Sequence, residues 1–168
     1  MSNGFKVTIG NLAITDPDFE EIVEDQDFDG TYAGNGSTSI PLYISHNSTS
    51  SITGCGLFMQ AYTGADYSGV NGPTEDYNDI LAWGDAYNAG GEEGGFQIDQ
   101  DNDEVFESTI YTGNGTLAVP ISLTAGANPG IIAADEEVHI DVRIFVPASE
   151  TSARNLYIDF GLKYTYTS

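Results

Sequence analysis

Hydrophobic residues fall at every second position in several stretches of this chain. The clearest is Val138, Ile140, Val142, Ile144 and Val146, alternating with His139, Asp141, Arg143 and Phe145. A period of two sustained over that length predicts a half-buried antiparallel strand, one face in a core and the other in solvent. Leu156, Ile158, Phe160, Leu162, Tyr164 and Tyr166 repeat the pattern, and residues 147–155 between the two runs read as a polar loop of hairpin length. Ile40, Leu42 and Ile44 alternate with small or polar neighbours, as do Leu117, Val119, Ile121 and Leu123; Phe5, Val7 and Ile9 begin in the same style, and residues 57–62 form a more continuous apolar run.

The joints between these runs are rich in Gly, Asn, Ser and Thr, as at 47–51, 113–115 and 125–130. Seven or eight short strands with such joints predict an all-β fold, an antiparallel sandwich or jelly roll built as a single domain over residues 1–168. One short helix interrupts it. Pro73 and Thr74 can start a helix, Glu75 and Asp76 suit its positive end, and Tyr77, Ile80 and Leu81 give it an apolar face. Gly84, after Trp83, is the expected stop.

Charge adds a constraint that the pattern does not contain. The chain carries 26 Asp and Glu against 4 Lys and Arg, a formal charge of −22 over 168 residues. The basic residues are Lys6, Arg143, Arg154 and Lys163. Acidic blocks at 11–30 and 66–107 alternate with uncharged blocks at 37–65 and 108–134, and the uncharged blocks read as strands. Such a surface repels phosphates and anionic lipid headgroups, which excludes nucleic acid and membrane as partners. It also repels itself, so something must offset it: a halophilic host's salt, bound cations or a basic neighbour. No run approaches the ~20 apolar residues of a membrane span. Residues 1–10 lack the basic and apolar regions of a secretory signal, so synthesis in the host cytoplasm is expected. Cys55 is the single cysteine, set between two glycines in an apolar stretch, and is expected to be buried. Asn-x-Ser/Thr triplets at Asn35, Asn47 and Asn114 read as loop polarity.

Two acidic runs have the spacing of calcium ligands. Asp25, Asp27 and Asp29, followed by Gly30, match the first half of a calcium loop, where alternate carboxylates converge on a hard cation. The twelfth position is Gly36, so the bidentate Glu of an EF-hand is missing; a looser Ca²⁺ or Mg²⁺ site at a sandwich edge is what remains, with Glu20, Glu21 and Glu24 nearby. Asp99, Asp101 and Asp103 repeat the spacing without the glycine, and their twelfth position is Ile110. Solvated surface loops are the competing reading of both. No nucleophile elbow, phosphate-cradling glycine loop or zinc spacing occurs, and neither His46 nor His139 sits in a catalytic pattern. No catalytic or cofactor-binding residue is assigned, and the chain reads as a non-enzyme. Trp83 with Tyr77, Tyr87 and either Tyr62 or Tyr67 can be read as a sugar-stacking platform, or Trp83 as a plug at one end of the sandwich.

Three segments carry a resemblance. Ile40–Ser45 with 47–53 and 57–62, the run Asp76-Tyr77-Asn78-Asp79-Ile80-Leu81-Ala82-Trp83-Gly84-Asp85 with 95–98, and the run 132–147 together resemble small virion structural proteins of tailed bacteriophages and archaeal tailed viruses. The resemblance implies a non-enzymatic protein on the outer surface of the particle, decorating and stabilising the capsid, or else a tail or baseplate component. It implies the major capsid protein or tail proteins as partners, and a homo-oligomer, trimer or hexamer, following local symmetry. The alternative reading is a calcium-assisted module that binds carbohydrate or protein.

Overall fold

A computed structural model describes residues 5–13, 26–31, 33–37, 39–45, 52–125, 128–129, 131, 137–151 and 154–166. The elements in chain order are β1 (Phe5–Ala13), β2 (Gln26–Thr31), β3 (Asn35–Gly36), β4 (Ile40–Ser45), β5 (Ile52–Ala61), α1 (Pro73–Asn88), β6 (Gly95–Asp99) and β7 (Ser108–Thr109). They continue with β8 (Ile121–Ser122), β9 (Thr124–Ala125), β10 (Asn128–Pro129), β11 (Glu137–Val146) and β12 (Asn155–Tyr166). The fold is all-β, with one helix among the described residues. One sheet has the order β2-β1-β12-β5-β8. In the other, β11 pairs with β6, which pairs with β7, and β3 and β4 both pair with β11. Pairings are antiparallel except β1 with β12, which run parallel. Strands β9 and β10 form a small ribbon of their own.

The period-two strands build the core as expected. In β11 the even residues from Val138 to Val146 are buried, while His139, Asp141, Arg143 and Phe145 are half-buried on the other face. In β12, Leu156, Ile158, Phe160 and Leu162 are buried; Cys55, Leu57 and Met59 supply the same face of β5. These residues form one hydrophobic cluster with Ile80, Trp83, Phe96, Ile98, Ile110, Ile121 and Leu123. Phe96 of one sheet meets Phe160 of the other edge-on, centroids 5.3 Å apart at 70°. Each such buried side chain contributes about 1.5–3 kcal/mol through removal from water. Burial also raises the Cys55 thiol to about 12, so the thiolate that would make it reactive is not formed near neutrality.

Three expectations are corrected. Strands β11 and β12 are not a hairpin: they lie in different sheets, β11 ending at Val146 in one layer and β12 beginning at Asn155 in the other. The two alternating faces look at one another across the core, a relation that periodicity alone does not separate from side-by-side pairing. The stretch 117–123 contributes only the two-residue β8, and Leu117 and Val119 are exposed. Gly115 at φ +100 opens a turn closed by hydrogen bonds between Thr116 and Val119 (Thr116 N to Val119 O 3.2 Å, Val119 N to Thr116 O 3.1 Å), and Pro120 follows with no amide hydrogen to donate.

The third correction concerns α1, which runs past Gly84 to Asn88. Pro73 occupies its first turn, where a missing amide hydrogen costs nothing, and Glu75 and Asp76 sit at its positive end. Ile80 and Trp83 enter the core; Tyr77 and Leu81 pack partly against it. Gly84 is buried inside the helix because the backbone at Ile110 comes too close to admit a side chain. The helix touches β12 and β5 of one sheet and β6 of the other, so it bridges the two layers.

Candidate functional site

The end of β6 holds the most concentrated chemistry among the described residues. Asp99, the last residue of that strand, is fully buried and fastens the loop that follows. Its Oδ1 accepts from the amides of Asp101 (3.2 Å) and Asn102 (2.8 Å), and its Oδ2 from that of Glu104 (2.9 Å). Asn102 and Glu104 take positive φ, 58° and 69°, so the loop curls tightly around this carboxylate. Glu107, exposed, closes the loop by accepting from the Gln100 amide at 2.8 Å. Asp99, Asp101 and Glu107 thereby offer three carboxylate oxygens within 4.8 Å of one another. Convergent hard oxygens of this kind suit Ca²⁺ or Mg²⁺.

Like charges crowd here. The Asp101 carboxyl is pushed above its usual range by partial desolvation and by the charges of Asp103 and Glu107. The folded chain therefore holds that proton more tightly than the unfolded chain. The associated stability is full below the unfolded pKa and is lost as pH rises through the folded value. At neutral pH, Asp101→Asn is expected to raise the melting temperature slightly in dilute buffer. The gain should vanish near pH 3 and in molar salt, where the Debye length shrinks from ~30 Å at 0.01 M to ~3 Å at 1 M. A gain that is the same at every salt concentration would mean the loop is not under electrostatic load.

Two further buried acids pin the segment between β5 and α1. Asp159 of β12, fully buried, accepts from the amide and hydroxyl of Thr63 at 2.9 and 2.7 Å. Asp76 of α1, also fully buried, accepts at Oδ2 from the Tyr157 amide and the Tyr67 hydroxyl, both 3.0 Å. Burial lifts the Asp76 pKa, against the pull of those hydrogen bonds and of Arg154. Tyr62, Tyr67 and Tyr157 pack as a tilted trio with centroids 5.2–6.3 Å apart. The two arginines are engaged internally. Arg154 reaches Asp79 at 2.7 Å and Glu150 at 3.4 Å, and Arg143 binds Gln97 at 2.7 Å and lies over the Phe106 ring at 4.1 Å.

The sequence-derived candidates are distributed unevenly over this picture. Asp25 lies outside the described residues. Asp27 and Asp29 are on β2, an edge strand, with Asp27 in register with Thr8 of β1; these two positions are strand where a loop was expected. Of the second acidic run, the structure brings Asp99 and Asp101 together with Glu107, and Asp103 instead accepts from the Val105 amide at 2.8 Å. Glu107 does not stand at the twelfth position, where an EF-hand places its bidentate carboxylate. It is the ninth residue from Asp99, a ligand position in calcium loops, and that spacing was the available signal. Trp83 is 8% exposed and belongs to the core, which removes it from any sugar platform. His139 does share its strand face with Asp141, at 3.4 Å.

No protein-family model matches the chain, and no curated protein matches it in sequence. No helix among the described residues is long and apolar enough to cross a membrane.

Proposed function

We propose that this protein is a non-enzymatic structural component of a tailed virus, carried on the outer surface of the particle as a capsid decoration protein. Its partner is the major capsid protein, with tail or baseplate proteins as the alternative attachment, and it works as a homo-oligomer matched to the local symmetry. The observation that carries the reading is the charge. A sandwich of −22, with Arg143 and Arg154 already engaged in its own ion pairs, presents an anionic exterior. Such a body is repelled by packaged DNA and is suited to the outside of a shell, in a host whose cytoplasm is salty enough to screen it. A supporting observation is that the buried acids brace loops, Asp99 and Asp159 by accepting from loop amides and Asp76 by joining the Tyr67 hydroxyl to the Tyr157 amide of β12. The resemblance of the segments at 40–45, 47–53, 57–62, 76–85, 95–98 and 132–147 supplies the tailed-virus assignment.

Gold-labelled antibody raised against the protein should decorate intact virus particles around the head. Label that appears only after the particles are opened would refute the outer position. A second reading, a cation-assisted binding module, is favoured by the convergence of Asp99, Asp101 and Glu107 and disfavoured by the burial of Trp83.

A further inference from the structure

A cavity of about 440 Å³ opens beside the C-terminal end of α1, lined by Tyr87, Asn88, Glu107, Ser108, Thr109, Tyr111 and Asn114. We propose that it is a binding site for a neutral glycan of one or two sugar rings. The inference is independent of the particle assignment, since glycan binding can hold or fail wherever the protein resides.

The lining sets the ligand class. The lining residues are two tyrosines, two asparagines, a serine, a threonine and one glutamate, and no Lys or Arg is among them. An anion meets no counter-charge there, and the chain's overall charge repels it. A wholly apolar ligand would bury the amides and hydroxyls without partners, which costs free energy. A sugar satisfies both demands, because its C–H faces lie on aromatic rings while its hydroxyls donate to and accept from amide and carboxylate groups. Tyr87 is 38% exposed, a large aromatic left open to solvent at the helix end. The volume falls within the usual span of ligand pockets, roughly 300–1,000 Å³.

The walls are held before any ligand arrives. Asp85 of α1 accepts from the Thr112 amide and hydroxyl at 2.8 and 2.7 Å, tying the far wall to the helix. Tyr111 and Asn114 exchange backbone hydrogen bonds of 2.9 and 3.0 Å across the turn between them. The Ile110 amide bonds Phe96 O at 2.8 Å, which fixes the same segment to β6. Walls already ordered spare the ligand the cost of ordering them.

The test is a glycan array carrying neutral and sialylated or sulfated oligosaccharides, probed with the full chain in molar salt, followed by titration calorimetry on the best neutral glycan. At least one neutral glycan should bind, and Tyr87→Ala and Asn88→Ala should each weaken it about tenfold or more with an unchanged melting temperature; both side chains are exposed, so neither change threatens the fold. Binding to anionic glycans only, to no glycan, or to a neutral glycan with both variants still at full affinity would each overturn the assignment.

Discussion

Phe160→Ala is expected to cost about 3–5 kcal/mol, a loss at the upper end for a core substitution. Phe160 is fully buried at the middle of β12, between β1 and β5, and its ring meets Phe96 of the opposite sheet. Truncation removes the transfer free energy of the ring and leaves a void that two hydrogen-bonded sheets cannot close by moving together. The aromatic pair adds a further loss, about 0.5–1.5 kcal/mol in measured cases. Urea titration should show a lower midpoint with an unchanged slope, the mark of altered stability without altered compactness. Phe160→Leu, which refills part of the space, should recover a good part of the loss. A Phe160→Ala cost below about 1 kcal/mol would mean the two layers do not meet at this point.

Gly84→Ala comes second and runs against helix propensity. On an open helix face, glycine to alanine gains about 1 kcal/mol. Here the added Cβ would fall inside the contact distance of the Ile110 carbonyl oxygen and 2.9 Å from its carbon, both backbone atoms. The neighbouring strand is no freer to move, because Gly95 sits at φ +96 and a Cβ there would lie 3.0 Å from the Gly84 Cα. Helix and sheet approach backbone to backbone, and steric cost outweighs propensity. The expected destabilisation is about 3 kcal/mol, a fall of roughly 6–12 °C in melting temperature for a chain of this size. Ala82→Gly, on the exposed side of the same helix, should cost only about 1 kcal/mol. A neutral or stabilising Gly84→Ala would contradict the packing of α1 on β6.

The same glycine marks where sequence reading stops. As a local signal Gly84 reads as a helix end, and only the tertiary approach of Ile110 explains a glycine kept inside a helix. Alternation in β11 and β12 gave the strands and their buried faces correctly, because a period of two reports which side meets the core. It is silent on whether two such strands pair or face one another, hence the hairpin expected where a crossing between layers exists. Leu117 and Val119 alternate as well, but Gly115 and Pro120 supply a turn that overrides the pattern. At the acidic loop, the spacing of Asp99 and Asp101 was legible, whereas Glu107 joins them through a loop curled by Asn102 and Glu104. The cavity beside α1 was invisible in sequence, since its lining comes from the helix end, β7 and the turn at 111–114.

The copy number of the protein in purified virus particles, by quantitative mass spectrometry against the major capsid protein, tests the central proposal most directly. A fixed stoichiometry to the capsid protein is expected, with copies on the scale of the capsid's own subunits. Small multiples of three or six would move it to the tail or baseplate, and absence from washed particles would contradict the virion assignment altogether.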